Sequence, residues 1–332
     1  MDPDALAAGV RRGERRALAR AITLVESTRP EHRGRANRLL ENLIPLTGKS
    51  MRIGISGVPG VGKSTFIEAL GNHVVAEGHR VAVLAVDPSS ALSGGSILGD
   101  KTRMERLARQ ARAFIRPSPT GATLGGVARR TRETILVCEA AGFDVVVVET
   151  VGVGQSEVAV AGMTDMFVLM LLPGGGDELQ GIKRGIVELA DLVVVNKADG
   201  ELASAAVRAA SDYQNALQFL KPRSAQWQVP VQTCSALHGE RVAEVWQTVI
   251  DYFAVLSKNG RLASRRGQQG LEWMWRETAD SLIEALKQAP EVRVRVAELE
   301  TAVVIGRLPA TVAAQQLINV FMERKQAKVA DR

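Results

Sequence analysis

Hydrophobic and polar positions change period twice along this chain. From residue 4 to residue 45 apolar residues recur every three or four positions among Ala, Leu and Arg, the spacing of one helix face, and the pattern stops near Pro45 and Gly48. Six short β-branched runs follow: MRIGISG (51–57), RVAVLAV (80–86), FDVVVVET (143–150), DMFVLML (165–171), DLVVVNK (191–197) and VPVQTCS (229–235). Each closes in a glycine-rich or polar turn and a longer helical stretch. Runs that are apolar throughout are strands buried on both faces. The alternation therefore predicts an α/β fold with a mainly parallel, doubly wound sheet. SKNGRLASRRGQQG (257–270) then reads as a polar linker, and LEWMWRETADSLIEAL (271–286) opens a terminal helical region. The expected organisation is an N-terminal helical extension over 1–48, an α/β domain over 49–257 and a C-terminal helical region over 258–332. No internal repeat or low-complexity tract interrupts it.

Composition narrows the classes. With 332 residues, 46% hydrophobic and 23% charged, the chain can bury a full core. The start MDPDALAAGVRRGERR carries acids and arginines where a secretory signal needs an apolar run, and nowhere do 18 consecutive apolar residues occur, so the protein reads as cytoplasmic with no membrane partner. A formal charge of +6 invites a nucleic-acid reading. The arginines of residues 11–38 and the pairs Arg129-Arg130 and Arg265-Arg266 lie among acids and alanines at helical spacing, without interleaved aromatics for base stacking. They read as solvated helix faces, which argues against nucleic acid and leaves an anionic partner surface open. Cys138 and Cys234, 96 positions apart, suggest two buried thiols rather than a disulfide or a metal cluster.

The chemistry begins with GVPGVGKST, Gly57, Val58, Pro59, Gly60, Val61, Gly62, Lys63, Ser64 and Thr65, at the end of the first strand run. This is a phosphate loop in the strand-loop-helix context the motif requires. Successive backbone N–H groups cradle phosphate oxygens, Lys63 reaches the β- and γ-phosphates and Ser64 ligates Mg²⁺. NKAD (196–199) names the base. Asp199 can accept from guanine N1–H and the N2 amino group together, Asn196 can reach the other edge and the Lys197 stem can lie over the ring. Adenine presents an acceptor where guanine presents N1–H, so GTP is expected over ATP. In TCSAL (233–237) the turn of Ser235, Ala236 and Leu237 falls where a backbone N–H meets guanine O6. Asp87, Asp100 and Glu149 are candidate acids for Mg²⁺, directly or through water. For Asp100, which precedes a helix, a helix cap is the alternative. Glu149 ends a strand beside the phosphate loop, where a Walker B acid stands, and the Gly152 N–H can meet the γ-phosphate. Most small GTPases place a water-orienting Gln directly after that glycine; here Val153 stands there and Gln155 comes two positions later. Slow intrinsic hydrolysis, accelerated by a partner, is the expectation.

Together the phosphate loop, VDPSS, SGGSILGDKTRM, ETVGVGQSE, LLPGGGDELQGIKRGIVE and NKAD resemble the MeaB/ArgK-type GTPases, relatives of the nickel-insertion GTPases. The match covers roughly residues 40–250. The resemblance implies a P-loop GTPase that binds GTP/GDP and Mg²⁺ and acts as a chaperone of adenosylcobalamin-dependent methylmalonyl-CoA mutase, gating cofactor loading and protecting the mutase. Some relatives carry an arginine/ornithine transport-kinase label, for which this sequence offers no transport segment and no second substrate motif. Nickel insertion is the rival function. It needs imidazole or thiolate ligands close together, whereas His32, His73, His79 and His238 are scattered. PGGGDELQGIKRG (173–185) combines three glycines with Asp177, Gln180 and Lys183, a composition suited to a partner-coupling switch, which the resemblance favours; a plain loop with Asp177 as helix N-cap is the alternative. Trp273 and Trp275 point about 200° apart on a helix. Covering both predicts a homodimer through the C-terminal region, against the alternative that both pack within one subunit.

Overall fold

The structure, a computed structural model, describes residues 2–86, 104–117, 124–150, 156–174, 184–219, 223–224, 226–258 and 260–330. The N-terminal extension is three helices, α1 (Pro3–Arg11), α2 (Arg15–Val25) and α3 (Pro30–Leu43). Asp2 caps α1 by accepting the Asp4 and Ala5 N–H groups at 3.3 Å each. Gly13 turns the chain in the left-handed region, at φ 73°, and Pro30 sits in the first turn of α3.

Seven strands follow: β1 (Met51–Gly57), β2 (Val81–Val86), β3 (Ala113–Arg116), β4 (Val145–Thr150), β5 (Met166–Leu171), β6 (Leu192–Val195) and β7 (Val231–Thr233). They form one sheet in the order β3-β2-β4-β1-β5-β6-β7, and all six neighbouring pairs are parallel. The α/β doubly wound expectation holds, with one strand more than the six runs. β3 is four residues at the sheet edge with every second side chain half-buried, too short to register as an apolar run.

Helices α4 (Lys63–Ala76), α5 (Glu105–Ala108), α6 (Leu124–Ala140), α7 (Ser156–Ala161), α8 (Arg184–Val187), α9 (Ala203–Leu217) and α10 (Val242–Lys258) connect and cover the strands. Strand alternation sorts the core. Ile53, Ile55, Val145 and Val147 share a cluster with α4 and α10, while Val146 and Val148 share another with α1–α3, α6 and α7. Gly54 lies on the second face, where an added Cβ would stand 2.7 Å from the Val160 methyl, so α7 packs directly on strand backbone.

Where the strands begin, buried charges are matched. Asp165, fully buried, takes a two-pronged contact from Arg266, 2.8 Å from Nε and 2.5 Å from Nη2, and the Arg52 N–H at 3.0 Å. Asp191 accepts the Phe167 N–H at 2.9 Å and Arg223 at 3.0 Å, with Arg265 at 3.6 Å. Glu139 takes Arg52 at 2.7 and 2.9 Å, the Gly48 N–H at 2.8 Å and the Ser50 hydroxyl. Two expectations are corrected here. The stretch read as a polar linker is helical from Arg261, the start of α11 (Arg261–Gln288). Arg265 and Arg266 are not on a solvated face; they serve these carboxylates, a tertiary demand invisible in local composition. At the other suspected face, Arg129 pairs with Glu133 at 3.4 Å.

Two compact units divide the chain, Met1–Arg266 and Gly267–Arg332. The second contains most of α11, then α12 (Pro290–Val304) and α13 (Ala310–Ala330), with Val292 and Leu299 of α12 and Ala313 of α13 buried. No described residue of α11 is buried in the single chain, and Trp275 is 68% exposed. Among the described residues no helix is long and apolar enough to cross a membrane.

Candidate functional site

The site lies where the strands finish, at the point where β1 is flanked by β4 on one side and β5 on the other, the crevice in which such sheets bind ligands. The phosphate loop leaves β1 at Gly57. A Cβ there would lie 2.4 Å from the Met170 carbonyl oxygen, so β5 admits only glycine. Gly62, at φ 93°, opens α4, and a Cβ on it would meet the Asn196 amide at 2.7 Å. The first N–H groups of α4 thus point into a concave loop, an arrangement suited to an anion.

Lys63, Ser64 and Glu149 converge. The Lys63 ammonium donates to the Gly57 and Val58 carbonyls at 2.8 and 3.3 Å, spanning the loop. Burial lowers its pKa, and the charges of Glu149 and Glu157 oppose that shift. Ser64 donates its hydroxyl to Glu149 Oε1 at 3.0 Å. A hydroxyl and a buried carboxylate are hard oxygen donors, so their chemistry fits Mg²⁺. Glu157, in the first turn of α7 and buried, is a site residue that motif reading missed. It lies outside the spaced pattern, and its signal was only a carboxylate just after the switch stretch.

Asn196 joins the phosphate and base halves of the site. Its amide nitrogen donates to the Val61 carbonyl at 2.8 Å, and its oxygen accepts the Ala236 N–H at 3.0 Å and the Cys234 thiol at 3.5 Å. Both ends of the Asn196 amide thus brace the loops on either side of the position from which sequence reading expects it to reach the far edge of the base. Asp199 accepts the Ser235 hydroxyl, which turns its carboxylate toward the TCSAL turn. Lys197 is exposed at φ 59°, a left-handed conformation uncommon for a residue with a side chain. Leu237, last of the turn, is exposed. Both cysteines are buried and free, as expected. Burial pushes the Cys234 thiol up to about 12, so it is an inert packing group beneath the base loop.

Asp87, Asp100 and Gly152, together with Val153 and Gln155, lie outside the described residues, as do Asp177, Gln180 and Lys183. Glu68, one turn after Ser64 on α4, accepts the Arg106 N–H at 2.7 Å at the start of α5. Among the described residues no three His, Cys, Asp or Glu side chains are grouped to hold a metal ion.

Known proteins resemble this chain over most of its length. The family model described as "Methylmalonyl Co-A mutase-associated GTPase MeaB" matches residues 18–291. A putative GTPase of Caulobacter vibrioides is 57% identical over 321 residues, covering 97% of this chain and 98% of its own. The mitochondrial methylmalonic aciduria type A homolog of Mus musculus is 48% identical over 331 residues, covering 97% of this chain and 80% of its own. A crystal structure titled LAO/AO transport system kinase superposes with a TM-score of 0.77 at 39% identity, covering 96% of this chain and 97% of that one.

Proposed function

This chain belongs to the MeaB family of methylmalonyl-CoA mutase-associated GTPases, and from that premise we propose that it is a guanine-nucleotide switch serving as chaperone of an adenosylcobalamin-dependent methylmalonyl-CoA mutase. The observation that carries the reading is the Asn196 amide bound to Val61 of the phosphate loop and to Ala236 of the base turn, which joins the two halves of a GTP site. The similarity to the methylmalonic aciduria type A homolog supports the client.

In this mechanism the N–H groups of Gly60–Thr65 hold the β-phosphate, and Lys63 exchanges its loop carbonyls for β- and γ-phosphate oxygens. Its lowered pKa reflects burial, and a phosphate supplies the opposite charge that the site otherwise draws from Glu149 and Glu157. Ser64 and Glu149, with Asp87 and Asp100, would hold Mg²⁺, which when bound neutralises charge on the phosphate oxygens. Asp199 reads guanine N1–H and the N2 amino group, Lys197 covers the ring, and the Ala236–Leu237 edge of the turn meets O6. Gly152 offers its N–H to the γ-phosphate. With Val153 where a water-orienting Gln stands in other GTPases, hydrolysis is slow until the client accelerates it, with Asp177, Gln180 and Lys183 as the coupling switch.

A 28-residue helix without a buried residue in the single chain supports a homodimer through α11–α13. Light scattering reads this directly: a full-length monomer would sink it, and a protein ending near residue 262 should be monomeric. The functional test is GTP turnover with and without saturating methylmalonyl-CoA mutase, beside a pull-down under GDP and under a non-hydrolysable GTP analogue. Acceleration of tenfold or more with nucleotide-dependent binding is expected. Absence of binding in both nucleotide states would overturn the client.

A further inference from the structure

Two buried hydroxyls at the root of the site have no part in the mechanism above. Thr150 ends β4 next to Glu149, and Ser56 precedes Gly57 of the phosphate loop. Thr150 Oγ1 donates to Ser56 Oγ at 2.8 Å, with both side chains sealed from solvent. Strand alternation puts them on the face lined by Val146, Val148, Val86 and Val160, where an apolar side chain would satisfy packing alone. The β1–β4 ladder runs to Ile55 opposite Glu149, and this side-chain bond carries the connection one residue farther. On its other side Thr150 pairs with Val86, the residue before Asp87. One hydrogen bond thus sits where the phosphate loop and the segments beginning at residues 87 and 151 leave the sheet.

We propose that Ser56 and Thr150 are a positioning pair for GTP hydrolysis. Their bond fixes the last rung between β1 and β4 and keeps the Glu149 carboxylate on Ser64. The inference rests on the GTPase reading of the same site. A hydroxyl pair suits this task better than two valines because the bond has a direction and a length, whereas apolar contact lets strand ends slide.

The test compares Thr150→Val, Ser56→Ala, the double variant and Thr150→Ser in the full-length protein. Three quantities are measured: affinity for a fluorescent GDP analogue with and without Mg²⁺, single-turnover GTP hydrolysis, and the unfolding midpoint. Thr150→Val should weaken the Mg²⁺-dependent part of the affinity and slow hydrolysis tenfold or more while Mg²⁺-free affinity stays within twofold. Thr150→Ser should restore both. Because the double variant leaves no buried group unpaired, it should recover the unfolding midpoint but neither the Mg²⁺ effect nor the rate. Wild-type behaviour of Thr150→Val, or recovery of rate and Mg²⁺ effect in the double variant, would overturn the inference and leave the GTPase reading standing. A wild-type protein that binds no guanine nucleotide would remove both.

Discussion

At the edge where the strands begin, Glu139, Asp165 and Asp191 are buried and met by Arg52, Arg223, Arg265 and Arg266, so that each carboxylate holds a cation and at least one backbone N–H. At the edge where the strands finish, the cross-links are hydrogen bonds, none of which pairs opposite charges: Lys63 to loop carbonyls, Ser64 to Glu149, Asn196 to Val61 and Ala236, Ser235 to Asp199. The first edge is closed, because removing any member strands a desolvated charge. At the second, several bonds end on groups that a phosphate, a cation or a base can replace, and each contributes only about 0.5–3 kcal/mol. One sheet thus has a fixed end and an exchangeable end.

Asp165→Ala should test the contrast hardest. It leaves Arg266 buried without its carboxylate, and about 3–5 kcal/mol of stability should disappear in urea unfolding, while the folded fraction keeps its GTP affinity within twofold. A loss under 1 kcal/mol would break the comparison. Asp199→Ala works at the opposite edge. Unfolding should barely move, whereas GTP binding should weaken by about 1–3 kcal/mol and the preference for GTP over ATP should narrow in competition binding. Next come Asp177→Ala, Gln180→Ala and Lys183→Ala, each expected to leave intrinsic turnover within a few-fold and to cut the client's acceleration about tenfold, roughly 1.4 kcal/mol of coupling. Equal losses with and without client would place that segment in the catalytic site instead. The smallest effect is on pH. Burial raises the Glu139 pKa, but Arg52, Ser50 and the Gly48 N–H outweigh it and hold the group below its ordinary 4.5. A carboxylate with a depressed folded-state pKa stabilises the fold above its unfolded value, and that contribution is lost as pH falls through the lowered one. Wild type should lose stability below about pH 4.5, with a shallower slope in Glu139→Gln, read from urea midpoints between pH 3 and 6.

The two edges were not equally legible. GVPGVGKST, NKAD and TCSAL are contiguous because a phosphate is gripped by consecutive backbone N–H groups and a base by side chains and an N–H of short turns, so chemistry dictates local spacing, and the structure brings those stretches together. The fixed end is built from partners far apart in sequence: Arg266 and Asp165 are separated by 101 positions. Nothing local distinguishes those arginines from solvated ones, and the same blindness made a helix look like a linker. β3 escaped notice because an edge strand needs only one apolar face. Glu157 has no motif spacing, and only the packing of α7 brings it near Lys63.

Lys197 leaves a mark of a different kind. A lysine at φ 59° sits where a Cβ is disfavoured by about 1–2 kcal/mol, held there by the Asn196 N–H on Leu171 at 2.9 Å and the Ala198 N–H on Cys234 at 3.0 Å. Selection for thermal endurance alone would drift this position to glycine, which relaxes the backbone at no steric cost. The stem we place over the guanine would go with it. A lineage driven toward heat tolerance therefore meets a fork at one codon, where greater endurance and firmer base recognition call for different residues.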